Sequence, residues 1–260
     1  MLLPPDDVAP LDVQRRDGRS PLFIVCDHAG RLIPRSLGAL GLSEDQLADH
    51  IAWDIGAAGV AQRLGAALGA TTVLQRYSRL VIDCNRPLDA HDSIVRRSER
   101  TDIPGNQAVG RDAAEERARA IFHPYHDEIR RALDQRQAMA LPTVVIAMHS
   151  FTPVFMDVAR PWHVGVLYNR DARVARPLLQ ALRDEGDVVV GDNEPYAAGE
   201  LTDYSLVNHG ERRGLPCVEL EIRQDLIADG RGQEAWAERL ARLLPAVIQA
   251  LPTPTTPPSR

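Results

Sequence analysis

The chain has 260 residues, 44% hydrophobic and 25% charged, with a net charge of −6. This is enough chain to bury a sizeable core, and the acidic balance argues against a nucleic-acid binder. No apolar run approaches the roughly 18–20 residues that span a bilayer, and residues 1–10 carry Asp6 and Asp7 but no apolar secretory core.

Residues 1–20 are polar and proline-bearing and read as a mobile or loosely docked arm. Residues 22–26 form a continuous apolar run, a central strand that ends in Asp27-His28-Ala29-Gly30. Residues 43–68 read as a helix, with Ser43 as N-cap, Glu44 and Asp45 in the first turn and Gly69 as the stop. Residues 71–74 and 80–84 read as strands, the latter halted by Pro87. Residues 88–110 lose periodicity and form a long charged loop, expected to cover a substrate, the plainer alternative being a surface excursion. A helix is expected over 111–138, and strands over 143–148, 162–167, 188–190 and 216–222. Helices over 172–185 and 233–250 complete the pattern, and residues 252–260 read as a disordered tail. Alternating strands and helices predict one α/β domain, residues 21–251, with helices on both faces of the sheet. In such sheets ligands bind beyond the carboxyl ends of strands.

Polar residues collect at those ends. The stretch from Tyr77 to Pro87 buries an apolar run between Arg79 and Asp83-Cys84-Asn85-Arg86. Buried guanidiniums are costly without an anionic partner, so this stretch reads as the floor of an active site. His28 and His149 each follow an apolar strand directly, which suits two ligands of a metal centre. Asp54 is the candidate third ligand; the plainer alternative is a helix-surface aspartate paired with an arginine. His50, four residues earlier, would share its helix face. Glu219 and Glu221 face one side of a strand and could act as acid/base and orienting partner, or as a charged strand edge paired with Arg223.

All 30 basic residues are arginine, which removes Schiff-base, pyridoxal-phosphate and P-loop chemistry. No dinucleotide fingerprint follows a strand, and no Gly-x-Ser-x-Gly elbow accompanies Ser150. Cys26, Cys84 and Cys217 are scattered through apolar runs, as reduced core thiols of a cytoplasmic protein are.

Taken together, these motifs resemble the N-formylglutamate amidohydrolase family. The resemblance runs through Cys26-Asp27-His28-Ala29-Gly30, Asp54-Ile55-Gly56, Ser78-Arg79, Asp83-Cys84-Asn85-Arg86 and Pro104-Gly105-Asn106. It continues through Pro124-Tyr125-His126, His149-Ser150, Pro195-Tyr196 and Glu221-Ile222-Arg223. It implies a mixed central sheet of the zinc-carboxypeptidase-like (phosphorylase/hydrolase-like) kind, and one Zn²⁺ per chain held by His28, Asp54 and His149. Related carboxypeptidases take a carboxylate ligand three residues after the first histidine, where this chain has Arg31. Glu221 is implied as general base and acid, Arg79 as oxyanion stabiliser, and Asn85, Arg86 and His126 as substrate-binding residues. Asp83 is read as orienting its neighbours. The implied substrate is a small acidic N-acyl amino acid, foremost N-formyl-L-glutamate. The alternatives are another N-acyl amino acid or small peptide, or a metal-free module that binds acidic metabolites. Two departures from the family's common form bear on the substrate: Cys26-Asp27 where serine or proline is usual, and Glu219 where glutamine is usual.

Overall fold

The computed structural model describes residues 1–251; the expected disordered tail, 252–260, lies outside them. In chain order the strands and helices are β1 (Leu11–Gln14), β2 (Leu22–Cys26), α1 (Glu44–Ala48), α2 (Ala57–Leu68), β3 (Thr71–Gln75), β4 (Arg97–Ser98) and β5 (Thr101–Asp102). Then follow α3 (Arg111–Arg117), α4 (His123–Ala138), β6 (Val144–Phe151), β7 (Val154–Phe155), β8 (Val158–Ala159) and β9 (Val164–Leu167). The chain closes with α5 (Ala175–Asp184), β10 (Val190–Asp192), β11 (Cys217–Arg223) and α6 (Gly230–Gln249).

Seven strands form one mixed sheet in the order β1-β3-β2-β6-β11-β9-β10. β3, β2, β6 and β11 run parallel, β1 is antiparallel to β3, and β9 is antiparallel to β11. β2 connects through α2 to β3 on one side of it, and the long excursion that follows β3 returns as β6 on the other side. The carboxyl ends of β2 and β6 therefore face a crevice.

Strand alternation assigns the two cores. Leu22, Ile24, Ile146, Met148, Val218 and Leu220 pack against α2, α5 and α6. Phe23, Val25, Val145, Ala147 and Cys217 pack against α4 and the buried segment around Leu80 to Cys84. On this second face the series Val145, Ala147, His149 and Cys217, Glu219, Glu221 run from apolar to polar toward the carboxyl ends.

Three expectations are corrected. The arm is docked: β1 adds an edge strand to the sheet, Leu2 is buried, and Tyr77 Oη donates to the Val8 carbonyl at 2.7 Å. The helix expected over 43–68 is broken. Ser43 and Gln46 form a capping box for α1, but the chain leaves helical geometry at Asp49 and resumes it only at Ala57, after the left-handed Gly56. Gly56 has φ +81°, and a Cβ there would lie 2.1 Å from the Ile227 carbonyl oxygen, so only glycine fits. Asp54 thus sits on a turn rather than a helix face. Its N–H donates to the His28 carbonyl at 3.0 Å.

Residues 80–84 are buried but form turns, not a strand. Without a sheet ladder their carbonyls need other donors. Asn106 Nδ2 donates to Leu80 O at 2.8 Å and Val95 O at 2.7 Å, while Arg117 donates to Val81 O at 2.8 Å and Asn106 Oδ1 at 2.7 Å. Pro104-Gly105-Asn106 is therefore the clasp that holds this segment. Asn106→Ala removes the donor from the buried Leu80 carbonyl and the part-buried Val95 carbonyl, and takes an acceptor from the buried Arg117. It should cost about 3 kcal/mol of stability, read as a lowered urea midpoint. The helix expected over 111–138 is present, with a π-turn at 118–122 just before Pro124, which has no N–H to give the regular ladder.

Candidate active site

Five segments converge at the carboxyl ends of β2, β6 and β11. β2 delivers Asp27 and His28 just past its last residue, and β6 carries His149 within its last turn of pleat. Glu221 of β11 lies in register with His149. The turn before α2 brings in Asp54, and the clasped segment brings Arg79, Asp83, Asn85 and Arg86. A cavity of about 310 Å³ opens there, lined among others by His28, Arg79, Asn85, Arg86, His149, Tyr196, Glu219 and Glu221.

His28, Asp54 and His149 are buried, and their ligand atoms lie within 4.8 Å of one another. Asp54 Oδ2 is 2.7 Å from His149 Nδ1 and 3.4 Å from His28 Nδ1. The far nitrogens are also held by carboxylates: His28 Nε2 on Asp83 at 2.7 Å, His149 Nε2 on Asp27 at 3.2 Å. Asp83 in turn accepts from Arg79 at 2.8 Å and from the Asn85 N–H at 2.8 Å, and Asp27 accepts from Ser205 Oγ.

Each imidazole thus has carboxylates at both nitrogens. A neutral ring has one N–H, so its Nδ1 lone pair would face the Asp54 carboxylate unless the ring takes a second proton or a cation lies between them. Two imidazole nitrogens and a carboxylate oxygen, each imidazole oriented by a second carboxylate, form a donor set suited to a divalent metal such as zinc. The residues fit such an ion.

The charges reinforce one another. Burial alone would raise Asp54, but His28 and His149 hold it well below the usual carboxylate range. Burial likewise opposes ionisation of Asp83, and Arg79 and His28 overcome it. Burial pushes Glu221 up to about 7. Burial and the neighbouring Asp203 carboxylate push Glu219 well above its usual range.

Of the sequence-predicted residues, His28, Asp54, His149, Glu221, Arg79, Asn85 and Arg86 come together. His126 does not reach the cavity. It is fully buried, its Nε2 donating to the Cys84 carbonyl at 2.9 Å and its Nδ1 meeting His209 Nε2 at 2.8 Å. Burial lowers its pKa to about 4, so it is a neutral prop beneath the segment rather than a substrate ligand. His50 is likewise elsewhere, between Asp49 at 2.7 Å and Glu99 at 2.8 Å.

Arg86 is less free than expected. Its Nε is 3.0 Å from Asp92, and its Nη1 donates to the Asn85 and Thr202 carbonyls. Nη2 is the nitrogen left for a carboxylate. Asn85 Oδ1 accepts from Ser205 N at 3.0 Å, which turns its amide nitrogen into the second donor it can offer. The charged loop does not cover the cavity either: Arg97 pairs with Asp102 at 3.5 Å and Arg100 with Asp157.

Sequence reading missed the 199–205 segment, whose Thr202, Asp203 and Ser205 complete the site, because no spacing ties it to the strand ends. Asp27 had a usable signal: it directly precedes a candidate ligand and would be buried with it.

A family model for N-formylglutamate amidohydrolase matches residues 20–228. The chain is similar to an N-formylglutamate deformylase of Pseudomonas putida, 25% identical over 263 residues and covering 90% of this chain and 91% of that one. The crystal structure of a gene product from Agrobacterium tumefaciens superposes with a TM-score of 0.93 at 35% identity, over 96% of this chain and 99% of that one. The N-formylglutamate amidohydrolase of Ralstonia eutropha shares the fold, with a TM-score of 0.67 at 17% identity over 94% and 98% of the two chains. With the model spanning most of its length, this chain belongs to the N-formylglutamate amidohydrolase family, hydrolases that act on an amide bond.

Proposed function

We propose that the protein is a zinc-dependent amidohydrolase that cleaves the amide of an N-acyl amino acid, with N-formyl-L-glutamate as the substrate the family points to. The observation that carries this reading is the His28-Asp54-His149 cluster opening into the same cavity as Glu221. When bound by those three residues, zinc supplies Lewis acidity and lowers the pKa of water to about 7.

The protein's own groups do the rest. Glu221, ionised, takes a proton from the attacking water and returns it to the departing amine. Arg79 is fixed by Asp83 and Asp54 with part of its guanidinium facing the cavity, where it stabilises the developing oxyanion. Arg86 Nη2 and the Asn85 amide hold the substrate's carboxylate. Asp27 and Asp83 keep both imidazoles in the ligating tautomer. For N-formylglutamate the products are formate and glutamate. The three free thiols are in keeping with a cytoplasmic location.

A second reading, hydrolysis of another N-acyl amino acid, is favoured by one observation: Glu219 and Asp203 add two further acidic side chains to the cavity lining. Formate and amine release from N-formyl, N-acetyl and N-carbamoyl amino acids, with zinc-loaded protein, tests both. Absence of hydrolysis across the series, with about one zinc bound per chain, would overturn the amidohydrolase reading.

Arg86→Lys should raise KM roughly 10- to 100-fold with little change in kcat, because a charged hydrogen bond to substrate is worth about 1.5–3 kcal/mol. Steady-state kinetics measure this. An unchanged KM would show that the carboxylate is held elsewhere.

A further inference from the structure

The family's substrate brings two carboxylates, and the cavity does not supply two free cations. Among the described residues its lining holds two arginines, Arg79 and Arg86. Arg79 is committed to Asp83 and Asp54, and Arg86 has Nη2 to offer. No arginine of the 88–110 loop lines the cavity. Arg160 is not among the lining residues; it donates to Tyr196 Oη at 2.8 Å and lies over the Phe155 and Tyr196 rings.

Against these stand Glu219, Glu221 and Asp203. Glu221 has a proposed task in the reaction. Glu219 has none, is 2% exposed, and its Oε2 has no hydrogen-bond partner among the described residues. Asp203, 6% exposed, is fixed beside it by Gly199 N–H at 2.7 Å and by Thr202 Oγ1, both on Oδ2. The Thr202 carbonyl is bound in turn by Arg86, so the group that grips the substrate's carboxylate also positions the acidic pair. A buried carboxyl oxygen with no partner is costly, and a second carboxylate brought against the neighbouring Asp203 carboxylate would add repulsion. A ligand group bearing N–H satisfies it.

We propose that Glu219 and Asp203 form an acceptor subsite for the substrate's side chain. The preferred substrates are then N-acyl amino acids with one carboxylate, on Arg86 and Asn85, and a side chain ending in an amide, ammonium or guanidinium. This rests on the amidohydrolase reading and specifies its substrate. A site built to accept hydrogen bonds rejects an isostere that lacks the donor far more strongly than an apolar pocket rejects a change of size.

N-formyl-L-glutamine and N-formyl-L-glutamate have the same shape and differ in donor against anion at one end. With zinc-loaded wild type, kcat/KM for the glutamine compound is expected to exceed that for the glutamate compound by about tenfold or more. Glu219→Gln, which keeps the shape and adds an N–H₂, should shift that ratio toward glutamate by a similar factor, and Asp203→Asn should do the same. Calorimetry of L-glutamine and L-glutamate binding gives a parallel readout independent of turnover, with the same order expected. Equal or better use of the glutamate compound by wild type, or a ratio unmoved by Glu219→Gln, overturns the subsite. No cleavage of either compound, with glutamine still bound preferentially, would retain the subsite and reject the reaction.

Discussion

Glu221→Gln is expected to lower kcat by about 10²–10⁴-fold while the protein keeps its metal. The glutamine is nearly isosteric and Glu221 is not among the three clustered ligands, so the cluster and the fold should persist. What disappears is a carboxylate able to take a proton and give it back. The pH profile adds a second signature. Burial raises Glu221 to about 7, and a base must be unprotonated to act, so kcat/KM of wild type rises with pH on the acid side toward neutrality. The variant loses that limb. Near-normal turnover with an unchanged profile would remove Glu221 from its role.

Asp54→Ala is expected to abolish stoichiometric metal binding. Asp54 is the one residue that both imidazole Nδ1 atoms approach, at 2.7 and 3.4 Å, and its oxygen also accepts from Ser150 N at 3.3 Å. Wild type, loaded and desalted, should carry about one zinc by elemental analysis, and the variant a small fraction of that. Since a ligand that binds only the native state raises stability by RT ln(1 + [L]/Kd), zinc should raise the Tm of wild type and leave that of the variant unchanged. Asp27→Asn is the graded companion. It leaves the ligands in place but weakens the support on His149, so metal affinity should fall about 10–100-fold. Full zinc occupancy in Asp54→Ala would move the third ligand elsewhere.

The parts of the site that sequence made legible are those set by strand ends. An apolar run that stops at His28, another that runs into His149, and a third that alternates through Glu219 and Glu221 already fix which side chains emerge at the carboxyl edge of a parallel sheet. Asp54 was legible as a residue but not as a geometry. Gly56, whose positive φ ends the turn that starts at Asp49, was the available signal that the chain is not helical there. His126 was misplaced because its motif gives proximity to the site without direction. The Cys84 carbonyl takes its N–H and burial keeps the ring neutral.

The segment from Arg79 to Arg86 divides the two kinds of information. Sequence by itself determined that residues 80–84 are buried, that charged groups flank them, and that the chain is an α/β protein with polar residues at its strand ends. Hydrophobic periodicity reports burial, and burial follows from composition over a few neighbouring residues. Only the tertiary structure decided that this buried run is a clasped coil held by Asn106 and Arg117, and that Arg86 has one nitrogen to spare. It alone brought Asp203 against Glu219. Such matters depend on which distant donor or carboxylate completes a hydrogen bond, and partners 11 to 120 residues apart leave no mark on local pattern.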